Sequence, residues 1–182
     1  MSDQENLERL QAGEEAGFDA IFRAYYPNLV GFADSILRDL AAAEDTVQEV
    51  MLELWRRRSN IVLDTSLRAY LFQSTRNRAL NRIRHERVAG RLDAEVPQPR
   101  SLAPPDQALA EQEMNVRVRQ AIAELPERCR EVFQLSRVHG LKYAEIAGTL
   151  GISVKTVEAQ MGKALRTLRE RLIPWLPEGG PS

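Results

Sequence analysis

Arg76, Asn77, Asn81 and Arg84 lie within nine residues of one another in a stretch that carries almost no acid. A guanidinium holds phosphate and stacks on bases, and a carboxamide offers both a donor and an acceptor to a base edge. Asn77 and Asn81 are four apart, so on a helix they share one face with Arg84 nearby. Tyr70 and Phe72 come just before. Aromatics beside a cationic surface suit unstacked or single-stranded nucleic acid, where each base exposes a π-face. Tyr70 is expected in the core. A second row follows near the C-terminus: Lys155, Thr156, Glu158, Ala159, Gln160, Lys163, Arg166 and Thr167. Polar and basic side chains in such a row at the start of a helix are what reading duplex base edges requires. A third set, Asp45, Gln48, Glu49 and Glu53, has the opposite charge and sits beside Leu52 and Trp55. Apolar residues off the core face and next to acids suggest a protein-binding surface.

Catalytic chemistry has no comparable support. The sequence holds no Gly-rich phosphate loop, no plausible Ser/His/Asp set and no metal-ligand spacing, so the chain reads as a non-enzyme without cofactors. Cys129 is the only cysteine, with His85 and His139 far apart, so neither an internal disulfide nor a zinc site is expected.

Helices must position these residues. Lys142 to Leu172 reads as a short helix, a tight turn and a longer basic helix, the layout of a helix-turn-helix. Ile146, Ala147 and Leu150 are the apolar residues of the first helix. Gly151 supplies the positive φ that stops it, and Ser153 is placed to cap the second. The second helix is predicted to bury Val157, Met161, Leu165, Leu168 and Leu172. Earlier helices are predicted over 18–37, where Pro27 kinks or divides the helix, over 42–57 and over 66–87. Their core stripes are Phe18, Ile21, Phe22, Leu29, Phe32, Ala33 and Ile36; then Val47, Val50, Met51 and Leu54; then Leu67, Tyr70, Leu71, Leu80 and Ile83. Two more are predicted over 114–125, stopped before Pro126, and over 127–137. No alternating β pattern or internal repeat occurs.

The composition breaks once. Residues 93–113 hold four of the nine prolines and little apolar material, and read as a linker. The expectation is all-α: two small helical domains, 10–92 and 114–176, joined by a Pro-rich flexible linker, the second being the helix-turn-helix domain. The chain has 182 residues, is 43% hydrophobic and 28% charged, and has a net charge of −1. It is therefore no generic phosphate binder, since free-standing DNA-binding domains tend to be basic. Its charge is segregated: residues 39–53 carry acids and no Lys or Arg, whereas 68–91 carry seven arginines against Glu86 alone. Two kinds of partner follow. No apolar run is long enough to span a membrane and the N-terminus is acidic and polar, which points to the cytoplasm.

With those residues in place, the chain resembles a sigma factor of the extracytoplasmic-function group. AEDTVQEVMLELW, AYLFQSTRNRALNRIR, ELPERCREVFQL and YAEIAGTLGISVKTVEAQMGKALRTLRERL carry the resemblance, in this order and split by the Pro-rich stretch. It implies a protein that binds core RNA polymerase and directs promoter-specific initiation. Asp45, Gln48, Glu49 and Trp55 match the helix that docks on the coiled-coil clamp of the largest polymerase subunit. Arg76, Asn77, Asn81 and Arg84 match the helix beside the melted −10 element, and residues 58–66 the loop that holds a flipped base. Lys155, Thr156, Glu158, Ala159 and Lys163 match the helix that reads the −35 duplex. Two departures stand out: RSNIVLDTS maps to no specific base, and Glu158-Ala159-Gln160 replaces the Arg or Ser-Arg of many relatives. Twenty-one linker residues reach about 70 Å at about 3.3 Å each. That equals two turns of duplex at about 34 Å each. Opening DNA costs a few kcal/mol per unstacked step, so the polymerase must help hold the strands. The residues name no anti-sigma factor, although a partner of that kind could occlude either DNA-facing surface. A stand-alone dimeric helix-turn-helix regulator is the rival; the linker, the Arg-rich helix and the lack of a dimer seam disfavour it. A protein-interaction adaptor fits the basic C-terminal helix poorly.

Overall fold

The computed structural model describes residues 1–90 and 109–175. Eight α-helices account for most of them: α1 Asp3–Gln11, α2 Glu15–Leu37, α3 Leu40–Arg56, α4 Leu67–Val88, α5 Leu109–Ala123, α6 Glu127–Arg137, α7 Tyr143–Leu150 and α8 Val154–Leu172. A 3₁₀ turn, Ile173–Trp175, closes the described chain. The fold is all-α, and no strand occurs among the described residues. Most of the predicted linker, residues 93–108, lies outside the described residues. Its last five residues do not: α5 begins at Leu109, where Ala and Leu follow the final proline of the stretch.

Caps explain where several helices begin. Ser2 accepts from the Glu5 N–H, Asp39 from Ala42 and Ser66 from Ala69, each satisfying an amide that has no partner inside its helix. Helix α1 is absent from the sequence expectation because its polar composition hides two core residues, Leu7 and Leu10, which are buried. It packs on α2 at Gly17, where a Cβ would lie 2.6 Å from the Leu10 nitrogen and 2.8 Å from the Asn6 oxygen. Pro27 neither kinks α2 enough to break it nor divides it; the helix runs through from Glu15 to Leu37. Pro27 is exposed, so the carbonyl its missing N–H leaves unbonded lies toward solvent.

The chain separates into two compact units: α1 to α4 with Ala144–Ile152, and α5, α6 and α8 with the closing turn. In the first, Ile21, Leu29, Phe32 and Ala33 from α2 meet Val47, Val50, Met51 and Leu54 from α3 and Leu67 and Leu71 from α4, all buried. Phe72 stands in this core, 1% exposed, with its ring centroid 5.2 Å from that of Phe32. This corrects the sequence reading of α4. Phe72 belongs to the core and is not part of a nucleic-acid surface, while Tyr70, expected inside, is only half-buried along with Leu80 and Ile83. Within the same unit the Ser66 hydroxyl donates to Glu145 Oε2 at 2.7 Å. In the second unit Ala121, Leu125, Cys129, Ala164 and Leu168 form one buried cluster, with Ile122, Phe133 and Leu172 packed against it. Ala164 takes the buried place expected of Leu165, which is 39% exposed. The spacing fits either residue, and the small one lets α8 approach its neighbours closely.

Candidate nucleic-acid interfaces

Helix α8 begins as the sequence predicts. Gly151 has a φ of 66°, and Ser153 Oγ accepts from the Thr156 N–H at 3.1 Å. Lys155, Thr156, Glu158, Ala159, Lys163 and Arg166 are exposed, whereas Gln160 and Thr167 of the expected row are half-buried. The Thr156 hydroxyl lies 2.9 Å from Ser153 Oγ and is already part of the cap. Arg169 and Arg171 in the last turn suit the negative end of the helix dipole.

The arginines of α4 divide into two groups. Arg78 Nη1 lies 3.4 Å from Glu49 Oε2, and Arg82 Nη2 lies 3.9 Å from Asp45 Oδ2. These two therefore face α3. Asn77, Asn81 and Arg84 are exposed, and Arg76 is half-buried. The acidic and basic surfaces meet along a seam between α3 and α4. The exposed row of α4 carries the two asparagines and Arg84, the residue types suited to bases and phosphates.

On α3, Asp45, Gln48 and Glu49 are exposed, as is Leu52 at 48%. Gln48 Nε2 donates to the Tyr26 hydroxyl at 3.4 Å. Trp55 is half-buried, meets Phe18 edge-on at 5.6 Å and carries the Arg58 guanidinium 4.2 Å above its ring. Phe22 and Tyr26 stack at 4.5 Å and extend the same aromatic strip along α2. Sequence periodicity assigned Phe18 and Phe22 to the core; here both are half-buried, Phe18 against Trp55 and Phe22 against Tyr26.

The segment between α3 and α4 is anchored by Ile61, 9% exposed, whose carbonyl accepts from Gln11 Nε2 at 3.4 Å. Val62 beside it is 82% exposed. Val62, Asp64, Thr65, Tyr70 and Gln73 help line a cleft of about 110 Å³. Among the described residues no group of three or more potential metal ligands occurs. No helix there is long and apolar enough to cross a membrane.

Two family models match: sigma-70 region 2 over residues 21–88 and sigma-70 region 4 over residues 115–168. The extracytoplasmic-function RNA polymerase sigma factor SigK of Mycobacterium tuberculosis is 31% identical over 171 residues, covering 91% of each chain. This chain belongs to the extracytoplasmic-function sigma factors. The RNA polymerase sigma-H factor of Pseudomonas aeruginosa is 28% identical, covering 97% of this chain and 96% of that one. Among solved structures, the sigma factor RpoE of Bartonella quintana, determined with the anti-sigma factor NepR, shares the fold. Its TM-score is 0.67 at 24% identity, over 87% of this chain and 98% of that one.

As a sigma factor the chain directs transcription initiation, and the stand-alone dimeric regulator is not favoured, because the region 2 match accounts for α2 to α4. The sequence reading missed two partnerships. Arg78 and Arg82 stand opposite acids of another helix, which no single-helix pattern can show. Gln160, grouped with the exposed row of α8, is half-buried and accepts from the Cys129 thiol.

Proposed function

We propose that this sigma factor docks on core RNA polymerase through Asp45, Gln48, Glu49 and Trp55, with the aromatic strip of α2 beside them. Helix α8 then reads the −35 element as duplex through Lys155, Thr156, Glu158, Ala159 and Lys163. Helix α4, with half-buried Arg76 and exposed Asn77, Asn81 and Arg84, holds the melted −10 strand. The segment between α3 and α4 takes a base flipped from the duplex, with Tyr70 as a stacking surface and Asp64 and Gln73 as hydrogen-bonding groups. Such a protein acts by binding, as a non-enzymatic subunit in the cytoplasm.

The observation that carries this reading is the divided α4. Arg78 and Arg82 lie opposite α3 acids, and the side chains left facing outward, Asn77, Asn81 and Arg84, are those a single strand can use. Charge at the seam then serves the docking surface, and charge away from it serves DNA. An anti-sigma factor covering α4 or α8 is part of the same proposal, on the example of the Bartonella quintana complex.

Reconstitution with core polymerase tests it, on a linear duplex promoter and on the same promoter with the −10 region unpaired. The expected result is sigma-dependent transcription from both, with negligible duplex binding by the chain alone. Tight duplex binding without polymerase, together with no transcription in its presence, would favour the dimeric regulator and overturn this assignment.

A further inference from the structure

Gln160 lies one turn beyond Thr156, at the edge where the exposed row of α8 gives way to its packed side. The Cys129 thiol on α6 donates to Gln160 Oε1 at 2.9 Å. Cys129 is 1% exposed and is fixed among Ala121, Leu125, Ala164 and Leu168, so the donor has little freedom to follow a moving carboxamide.

A free glutamine can present both its oxygen and its nitrogen to adenine, pairing with N6 and N7 together. Here the oxygen is turned toward α6 and engaged. With the oxygen engaged, the NH₂ group is the part of the amide left to meet a base, so Gln160 would act toward DNA as a donor. Its best-matched partners in the major groove are the two adjacent acceptors of guanine, O6 and N7, or O4 of thymine, whereas adenine sets an N6 donor beside its N7 acceptor. Cytosine presents an N4 donor there instead, which a donor cannot satisfy.

We propose that Gln160 is a specificity-determining residue of α8, held by Cys129 as a one-sided hydrogen-bond donor toward a guanine or thymine of the −35 duplex. The proposal rests on the reading of α8 as the duplex-reading helix. Cys129 touches no DNA and is a positioning residue.

The test uses the full chain with core polymerase and a duplex promoter library, randomised across the −35 element with a fixed −10 element, read by sequencing the transcripts. Wild type is expected to favour guanine or thymine in one column. Gln160→Glu replaces that donor with an acceptor and should move that column toward cytosine, by about threefold or more. Cys129→Ala should relax the same column about threefold and leave the others intact, while Cys129→Ser, which keeps an O–H donor, should restore it. Gln160 is half-buried and Gln160→Glu keeps an oxygen for the Cys129 thiol, so this variant should melt with wild type, and the test of its role is independent of how Cys129 variants fold. A structured wild-type profile that Gln160→Glu leaves unchanged overturns the proposal. An even loss across all columns in Cys129→Ala, unrecovered by Cys129→Ser, overturns the positioning role. A wild-type profile flat across the whole element is a separate failure, which overturns the reading of α8 and this proposal with it.

Discussion

Glu49 on α3 and Arg78 on α4 form an ion pair, Oε2 to Nη1 at 3.4 Å, and Asp45 faces Arg82 one turn away at 3.9 Å. Glu49 and Asp45 keep 57% and 64% of their side-chain surface exposed, so both remain accessible to a protein partner. The two helices thus share a charged seam that belongs to the proposed docking face.

Neutralising the acids tests that face more cleanly than reversing them, since a new lysine would stand against Arg78 or Arg82. Exposed pairs of this kind contribute about 0–1 kcal/mol. Asp45→Asn with Glu49→Gln is therefore expected to leave the melting temperature within a few degrees of wild type. Affinity for core polymerase, measured by competition against labelled wild type, should fall about tenfold. Unchanged affinity would remove these residues from the polymerase-binding set.

The two DNA-facing helices should fail differently. Lys155→Ala on α8 is expected to change preference among −35 sequences on duplex templates, at about 1–3 kcal/mol for a lost base contact or a shallower salt dependence for a lost phosphate contact. Arg84→Ala on α4 should depress transcription from duplex promoters and recover on a template whose −10 region is already unpaired. Rescue of Lys155→Ala by the unpaired template, with none for Arg84→Ala, would invert the assignment.

Single-helix patterns carried much of this in the sequence. The stripe Val47, Val50, Met51 and Leu54 is buried as its spacing predicts, and Gly151 and Ser153 shape their turn and cap as expected. What the sequence concealed depends on neighbours. Phe72 and Tyr70 are two apart on α4, and only the position of Phe32 decides which ring is core. Leu165 and Ala164 both fit the stripe of α8, and close packing selects the smaller. Helix α1 needs just Leu7 and Leu10 to dock, too few to register as a periodic pattern. The Cys129–Gln160 contact joins residues 31 apart, beyond any helical window.

His139 provides a test in acid. Burial pushes its imidazole down to about 4 from an ordinary value of 6.5. The folded state therefore binds the proton less readily than the unfolded chain. Its contribution to stability is fully present above pH 6.5 and is lost as pH falls toward 4. His139→Gln should flatten the decline of melting temperature between pH 7 and 4.5, relative to wild type. Parallel declines for the two proteins would mean that burial does not perturb this group.

Gly17 and Gly31 lie on the same helix and should respond in opposite directions to alanine. At Gly31 a Cβ would meet nothing within 4 Å, so the substitution should add helix propensity, up to about 1 kcal/mol. At Gly17 the same atom would lie 2.6 Å from the backbone nitrogen of Leu10 and 2.9 Å from Arg9 Cβ, with no flexible side-chain end to yield. Overpacking of this kind costs about 1–3 kcal/mol, or it drives α1 from its seat. Displacing α1 also removes Gln11 from the Ile61 carbonyl and so loosens the segment proposed to hold the flipped base. Gly17→Ala should then melt several degrees below wild type and lose more activity on duplex than on unpaired templates, while Gly31→Ala melts at or above wild type. Equal melting temperatures for the two variants would show that α1 does not pack against Gly17.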